Sequence, residues 1–222
     1  MSSRRIRLLL WCGCLGAVIL FAGDMLFYGA WGSARSLTLD YWFSRMANVA
    51  LWRLHLGSIT GPVGNGLRAL GMLGLWFCCR RAAPRLAAVM LAFMYTRAIF
   101  GVLQHGIFGP WGFAIRYCGR NSDAVTQMGK LNGILGNLMI ASFIIGSLIW
   151  IFLVLRKKAG VPRWTVLLWP FLTDWLDRVV VYVPAPIGYP LIGGWSNITM
   201  ATWFAILALT YKDWGIEDQK IA

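Results

Sequence analysis

The run of residues 131–155 is the longest and least polar of six stretches that are each apolar enough to cross a lipid bilayer. A spanning helix needs about 20 predominantly apolar residues, because hydrocarbon offers no partner to a backbone N–H or C=O. The other five stretches are 8–30, 59–79, 86–108, 164–183 and 194–211. They predict an all-α membrane protein, a six-helix transmembrane bundle formed as one polytopic domain over residues 1–222.

The composition agrees. Of the 222 residues 59% are hydrophobic and 13% charged, against about 25% charged in soluble domains. The net charge of +13 would point to nucleic acid if it formed one patch. Here the basic residues flank the apolar runs instead, which is a topology signal, and no nucleic-acid partner is expected. With the N-terminus in the cytoplasm, Arg4, Arg5, Arg7, Arg80, Arg81, Arg85, Arg156, Lys157, Lys158, Arg163, Lys212 and Lys220 fall inside. Arg35, Arg45, Arg53, Arg116, Arg120 and Lys130 fall outside, so both termini are predicted to be cytoplasmic. The opening segment resembles a signal peptide, but the apolar run continues past Asp24 without a clear cleavage site and reads as a retained span.

Two outer loops are long. In 36–56, Leu39, Trp42, Phe43, Met46, Val49 and Ala50 recur at helical spacing after a candidate N-cap, Ser36. This predicts either an interfacial helix or a lid over the outer mouth. The loop 110–130 is polar enough to be simply solvated, and the uncharged 184–193 reads as a tight turn. Gly129/Gly133 and Ser142/Gly146 supply small residues for close helix contacts. The five cysteines, Cys12, Cys14, Cys78, Cys79 and Cys118, imply no disulfide framework and read as packing residues.

Ionisable side chains inside the apolar stretches carry the functional information: Asp24, Arg68, Arg97, His105, Asp174, Asp177 and Arg178. A charge at mid-membrane costs about 2.5–3.5 kcal/mol on insertion scales, so such groups persist when paired or hydrated. Three arginines face three aspartates, a balance that suits an internal ion-pair network. Asp24, Asp174, Asp177 and Arg178 are its expected members, the last three projecting from one side of a helix kinked near Pro170. The predicted depths bring Arg68, Arg97, His105 and Asn197 to an outward-facing cavity, where they form a candidate ligand-binding set.

Catalytic signatures are missing: there is no G-x-S-x-G, H-E-x-x-H, Walker loop or dinucleotide fingerprint. With two histidines, His55 and His105, the chain has too few ligands for a membrane metal hydrolase, and no metal or cofactor is expected. His55 reads as an interface residue. The Trp-rich content, including Trp111, Trp169, Trp175 and Trp195, reads mostly as interface anchors. Expected partners are the lipid bilayer and a small or lipid-like ligand.

The segments GDMLFYG, WRLHLGSITGPVG, HGIFGPWGF and PAPIGYPLIGGWSNIT together resemble an uncharacterised family of bacterial multi-span integral membrane proteins of this length, with about six helices. The resemblance covers most of the chain and implies that architecture in a bacterial cytoplasmic membrane, with no activity attached. It marks Asp24, His55, His105 and Asn197 as motif positions, whereas Asp174, Asp177 and Arg178 lie outside its motifs. Rival readings are a small proton-coupled transporter, an intramembrane enzyme acting on lipid through His105 and an aspartate, and a ligand-free scaffold.

Overall fold

A computed structural model describes residues 1–33, 35 and 39–212. Ser36, the side chain of Leu39, and Lys220 lie outside the described residues. Five long helices dominate: α1 (Ser3–Tyr28), α3 (Leu51–Cys79), α4 (Pro84–Cys118), α5 (Asp123–Leu155) and α8 (Gly188–Thr210), with a short α2 (Leu39–Asn48) between the first two. No strand occurs among the described residues. Four of the helices, α1, α4, α5 and α8, are long and apolar enough to cross a membrane. The fifth long helix, α3, is outside that group because Asn65, Arg68 and a series of glycines dilute its apolar content.

Local signals set the helix ends. Pro84 occupies the first turn of α4, where no N–H is needed. Ser122 caps α5, its side chain accepting from the Val125 N–H at 3.4 Å, with Asp123 in the first turn. At the other end of α5, Lys157 takes a left-handed φ of 55°. The N–H groups of Lys157 and Lys158 then return to the carbonyls of Val154 and Leu153 at 3.0 and 2.8 Å, a Schellman closure built on lysine.

Three of the arginines predicted to lie outside serve as carbonyl caps. Arg53 donates to the carbonyls of Met25, Leu26 and Gly29 at the C-terminus of α1. Arg45 reaches the same Gly29 carbonyl, and Arg116 closes α2 through Ala47 and Val49 at 2.8 and 2.7 Å. A cation at a helix C-terminus both satisfies orphan carbonyls and opposes the macrodipole.

Around the bundle the packed neighbours run α8, α1, α3, α4, α5, and the segment 163–180 lies between α5 and α8. Glycines set the closest approach. A Cβ on Gly71 would sit 2.5 Å from the Gly13 Cα, and one on Gly16 would sit 2.5 Å from the Gly64 carbonyl oxygen, so α1 and α3 meet backbone to backbone. Of the expected small-residue pairs on α5, Gly146 faces Met94, while Gly133 faces open space.

The two ends of the bundle differ. One gathers Arg7, 80–85, 156–163 and 211–212: the Arg7 guanidinium meets the Tyr211 carbonyl, and Gly160 is hydrogen-bonded to both Cys78 and Lys212. The other is covered by α2. There Trp42 touches the rings of Tyr28, Phe43, Phe108 and Trp111, and Met46 is fully buried. The short α2 therefore folds onto the bundle.

Several expected boundaries shift. The stretch 164–183 is not one spanning helix. It is a 3-10 helix (Arg163–Leu168), α6 (Pro170–Thr173), a 3-10 turn (Asp174–Leu176) and α7 (Asp177–Val180). The cause is Pro170, which holds Trp169 in extended backbone (φ −62°, ψ 129°) and breaks the helix there. Conversely, Pro62 and Pro110 sit inside continuous helices. As a result α3 begins before its apolar stretch, and the expected loop 110–130 is mostly helical, its first part in α4 to Cys118 and its last part in α5 from Asp123. Gly188–Gly193 likewise belongs to α8 and not to a turn.

Candidate functional site

Midway along the bundle, on the α2 side of its Trp-lined core, the helices place polar side chains toward one another. From α3 come Asn65 and Arg68, one turn apart on one face. From α4 come Arg97, Gly101, Gln104, His105 and Phe108, which follow the i, i+4, i+7, i+8, i+11 rhythm of a single stripe. Asp24 comes from the last turns of α1, and the first half of α8 adds Asn197. These groups line a cavity of about 240 Å³.

Asn197 is the hub of the cluster. Its Nδ2 donates to Asp24 Oδ2 at 2.7 Å, and its Oδ1 accepts from Arg68 Nη1 at 3.4 Å. An amide thus stands between the acid and the base, and Arg68 and Asp24 are linked through it. His105 Nδ1 lies 4.0 Å from Asp24 Oδ1, beyond hydrogen-bond length. The histidine is held there by geometry: a Cβ on Gly61 would collide with its own Cβ, so α3 and α4 approach closely at that level.

Arg97 lies with its guanidinium carbon 4.3 Å from the Phe143 ring centre, a cation–π contact with α5. Asp174 accepts from Thr199 Oγ1 at 3.1 Å and acts electrostatically on both Arg68 and Arg97. Arg68 and Arg97 are only 4% and 6% exposed. Yet Arg68 Nε, Arg68 Nη2 and Arg97 Nε are buried without a hydrogen-bond partner. The cavity lining therefore carries two cations against the one carboxylate of Asp24.

Asp24, Arg68, Arg97, His105 and Asn197 come together as described, and Asp174 stands just behind them. Asp177 and Arg178 do not join: both are exposed, and Arg178 lies over the Trp175 ring, with 4.8 Å between guanidinium carbon and ring centre. Placing them in a buried network assumed a continuous helix, and the break at Pro170 turns them outward. His55 is also exposed, beside Phe113. Asn65 and Gln104 were missed, although each falls at helical spacing from a buried arginine. That shared stripe is the signal that would have found them.

Of the four tryptophans read as anchors, Trp169 and Trp111 are buried packing residues. Trp195 is half-buried and donates to the Thr173 carbonyl at 3.1 Å, and Trp175 is exposed.

The model of a family of unknown function, DUF6796, matches residues 1–213, and the chain belongs to that family. No curated protein and no solved structure is significantly similar to it.

Proposed function

We propose that this DUF6796 member is a multi-pass protein of a bacterial cytoplasmic membrane that binds a small anionic group in its buried cavity. Arg68 and Arg97 are the charge anchors, Asn197 and His105 give polar contacts, and Asp24 and Asp174 hold the arginines in place. Both termini face the cytoplasm, because the end that gathers Arg7, 80–85 and 156–163 carries most of the basic residues. The membrane assignment is supported by an inside-out distribution: Leu15, Ile59, Ile99, Ile134 and Leu148 are exposed on the outer surface, while Asp24, Arg68 and Arg97 are buried. Arginines inside a bilayer-spanning bundle ordinarily face a site or pathway.

The observation that carries the reading is the set of three unpartnered guanidinium N–H groups, Arg68 Nε, Arg68 Nη2 and Arg97 Nε. A buried donor without an acceptor costs about 1–3 kcal/mol, and more when charged. A carboxylate or phosphate supplies several acceptor oxygens at once and complements the planar fork of arginine.

The test is a thermal-shift titration in neutral detergent with inorganic phosphate and with acetate. The wild-type melting midpoint is expected to rise with at least one anion in a saturable way, and the Arg68→Gln/Arg97→Gln variant is expected not to respond. A wild-type protein indifferent to both anions, or a double variant that responds equally, overturns the assignment.

A further inference from the structure

We infer that the anion is the head group of an amphiphile, a phosphate monoester on a single acyl chain, which reaches the cavity sideways through a cleft between α5 and α8. This rests on the anion reading above and specifies both the ligand class and its route.

The end-on route is closed. Phe108, part of the cavity wall, is in ring contact with Phe27, Trp42 and Trp111, so α2 and its aromatic residues cover the cavity on that side. In the opposite direction lies the indole core of Trp150, Trp169 and Trp203, all fully buried.

The flank is different. Among the described residues α5 and α8 meet through Trp150 and Trp203 toward the basic end, and elsewhere the segment 163–180 lies between them. Its links to α5 are Trp169, against Phe143 and Trp150, and the short α6 that follows. Beyond α6 the segment packs mainly on α8, with Trp195 donating to the Thr173 carbonyl and Thr199 to Asp174. No residue from 171 to 187 is buried. Beyond α6, toward the α2 side, the α5–α8 flank therefore lacks its packed strut.

The cavity meets the surface at that gap. Met139 of α5 and the exposed Ser196 of α8 both belong to its lining. Beside the gap, Leu176 and Val179 present apolar side chains outward. Size completes the case: about 240 Å³ is below the usual range of about 300–1,000 Å³ for drug-sized ligands. It holds a head group and excludes a chain, which then lies along the cleft among Leu176, Val179 and the surrounding lipid. The same break that removed an expected spanning helix thus supplies the entrance.

The test compares three probes on the full chain in neutral detergent, with bound adducts read by native mass spectrometry. They are 1-oleoyl-glycerol 3-phosphate, glycerol 3-phosphate, which has the head without the chain, and monooleoylglycerol, which has the chain without the charge. The lipid phosphate is expected to bind about a hundredfold more tightly than glycerol 3-phosphate, the gain that confining one end of a two-part ligand gives. Monooleoylglycerol is expected to bind weakly. Ser196→Trp, at an exposed position, is expected to collapse the ratio between lipid phosphate and glycerol 3-phosphate toward one.

Equal wild-type affinity for glycerol 3-phosphate and the lipid phosphate overturns the amphiphile and leaves the anion site standing. A ratio unchanged in Ser196→Trp overturns the cleft route. Equal affinity for monooleoylglycerol and the lipid phosphate, or no adduct with any probe, overturns the anion reading and this inference with it.

Discussion

Toward the basic end of the bundle, Trp150 of α5, Trp169 of the broken segment and Trp203 of α8 stack within 4.0–6.0 Å of one another, ring centre to ring centre. Farther along the same helices, Arg68, Arg97, Asp24 and Asn197 surround a cavity. Both regions leave polar atoms without partners, including three indole Nε1 groups in the first and three guanidinium nitrogens in the second. The consequences differ because an indole N–H is a weak and neutral debt carried on a large apolar body, while an unpaired guanidinium is a charge seeking an acceptor. The first region holds the helices together. The second, with its unmet guanidinium hydrogen bonds, is the region proposed above to take a ligand.

That division ranks the expected effects of mutation. The largest falls in the indole core. Trp203 packs against Trp150, Trp169 and Phe204 with no exposure, so Trp203→Ala removes the central plate of the cluster. A loss of about 3–5 kcal/mol is expected, as for buried aromatic truncations generally. Equilibrium denaturation in mixed micelles measures it. A loss under about 1 kcal/mol would mean that this region is not what fixes the helices, erasing the contrast between the two halves.

The next effect belongs to the hub. Asn197 bonds Asp24 on one side and Arg68 on the other. Asn197→Leu, close in volume and unable to hydrogen-bond, strands a carboxylate and a guanidinium together, and about 1–3 kcal/mol should be lost. The same denaturation measurement applies. Asn197→Asp serves as a check, since it keeps an acceptor for Arg68 but sets a second carboxylate against Asp24. If Leu and Asp both behave like wild type, the amide does not organise the cluster.

Much of this arrangement was legible in the sequence. Isolated charges in apolar stretches pointed to Asp24, Arg68, Arg97 and His105, and helical periodicity pointed to α2. Five of the six expected stretches lie in long helices, in the expected order, and four of those helices are long and apolar enough to cross a membrane. The fifth stretch does not, because hydropathy reports only whether residues tolerate lipid and says nothing of backbone continuity. Pro62, Pro110 and Pro170 look alike in the sequence. The first two sit within helices that neighbours pack along much of their length, whereas no residue of 171–187 is buried, so nothing offsets the hydrogen bond that Pro170 removes. The spacing of Asp174, Asp177 and Arg178 was a correct inference from helical geometry applied where the helix does not exist. Arg53 and Arg116 carried a topology signal, and nothing in the sequence reveals that each also caps a helix over a distance of many residues.

The smallest expected effect on stability is also the sharpest test of the contrast. Arg68 makes one long hydrogen bond, 3.4 Å to Asn197, and leaves two other nitrogens unpaired. Its desolvation is therefore poorly compensated, and replacing a buried charge by a neutral group of similar length removes that cost along with the attraction to Asp24 and Asp174. Asp24 keeps its 2.7 Å bond from Asn197, and Asp174 keeps its bond from Thr199 and the attraction of Arg97. Arg68→Gln should then change unfolding free energy by less than about 1 kcal/mol in either direction while the response to phosphate is lost. A drop comparable to that of Trp203→Ala would show that the guanidinium is a structural keystone, and the polar region would become a second packing core in place of a site. Stability preserved with the phosphate response gone would separate the two halves cleanly, one for folding and one for binding.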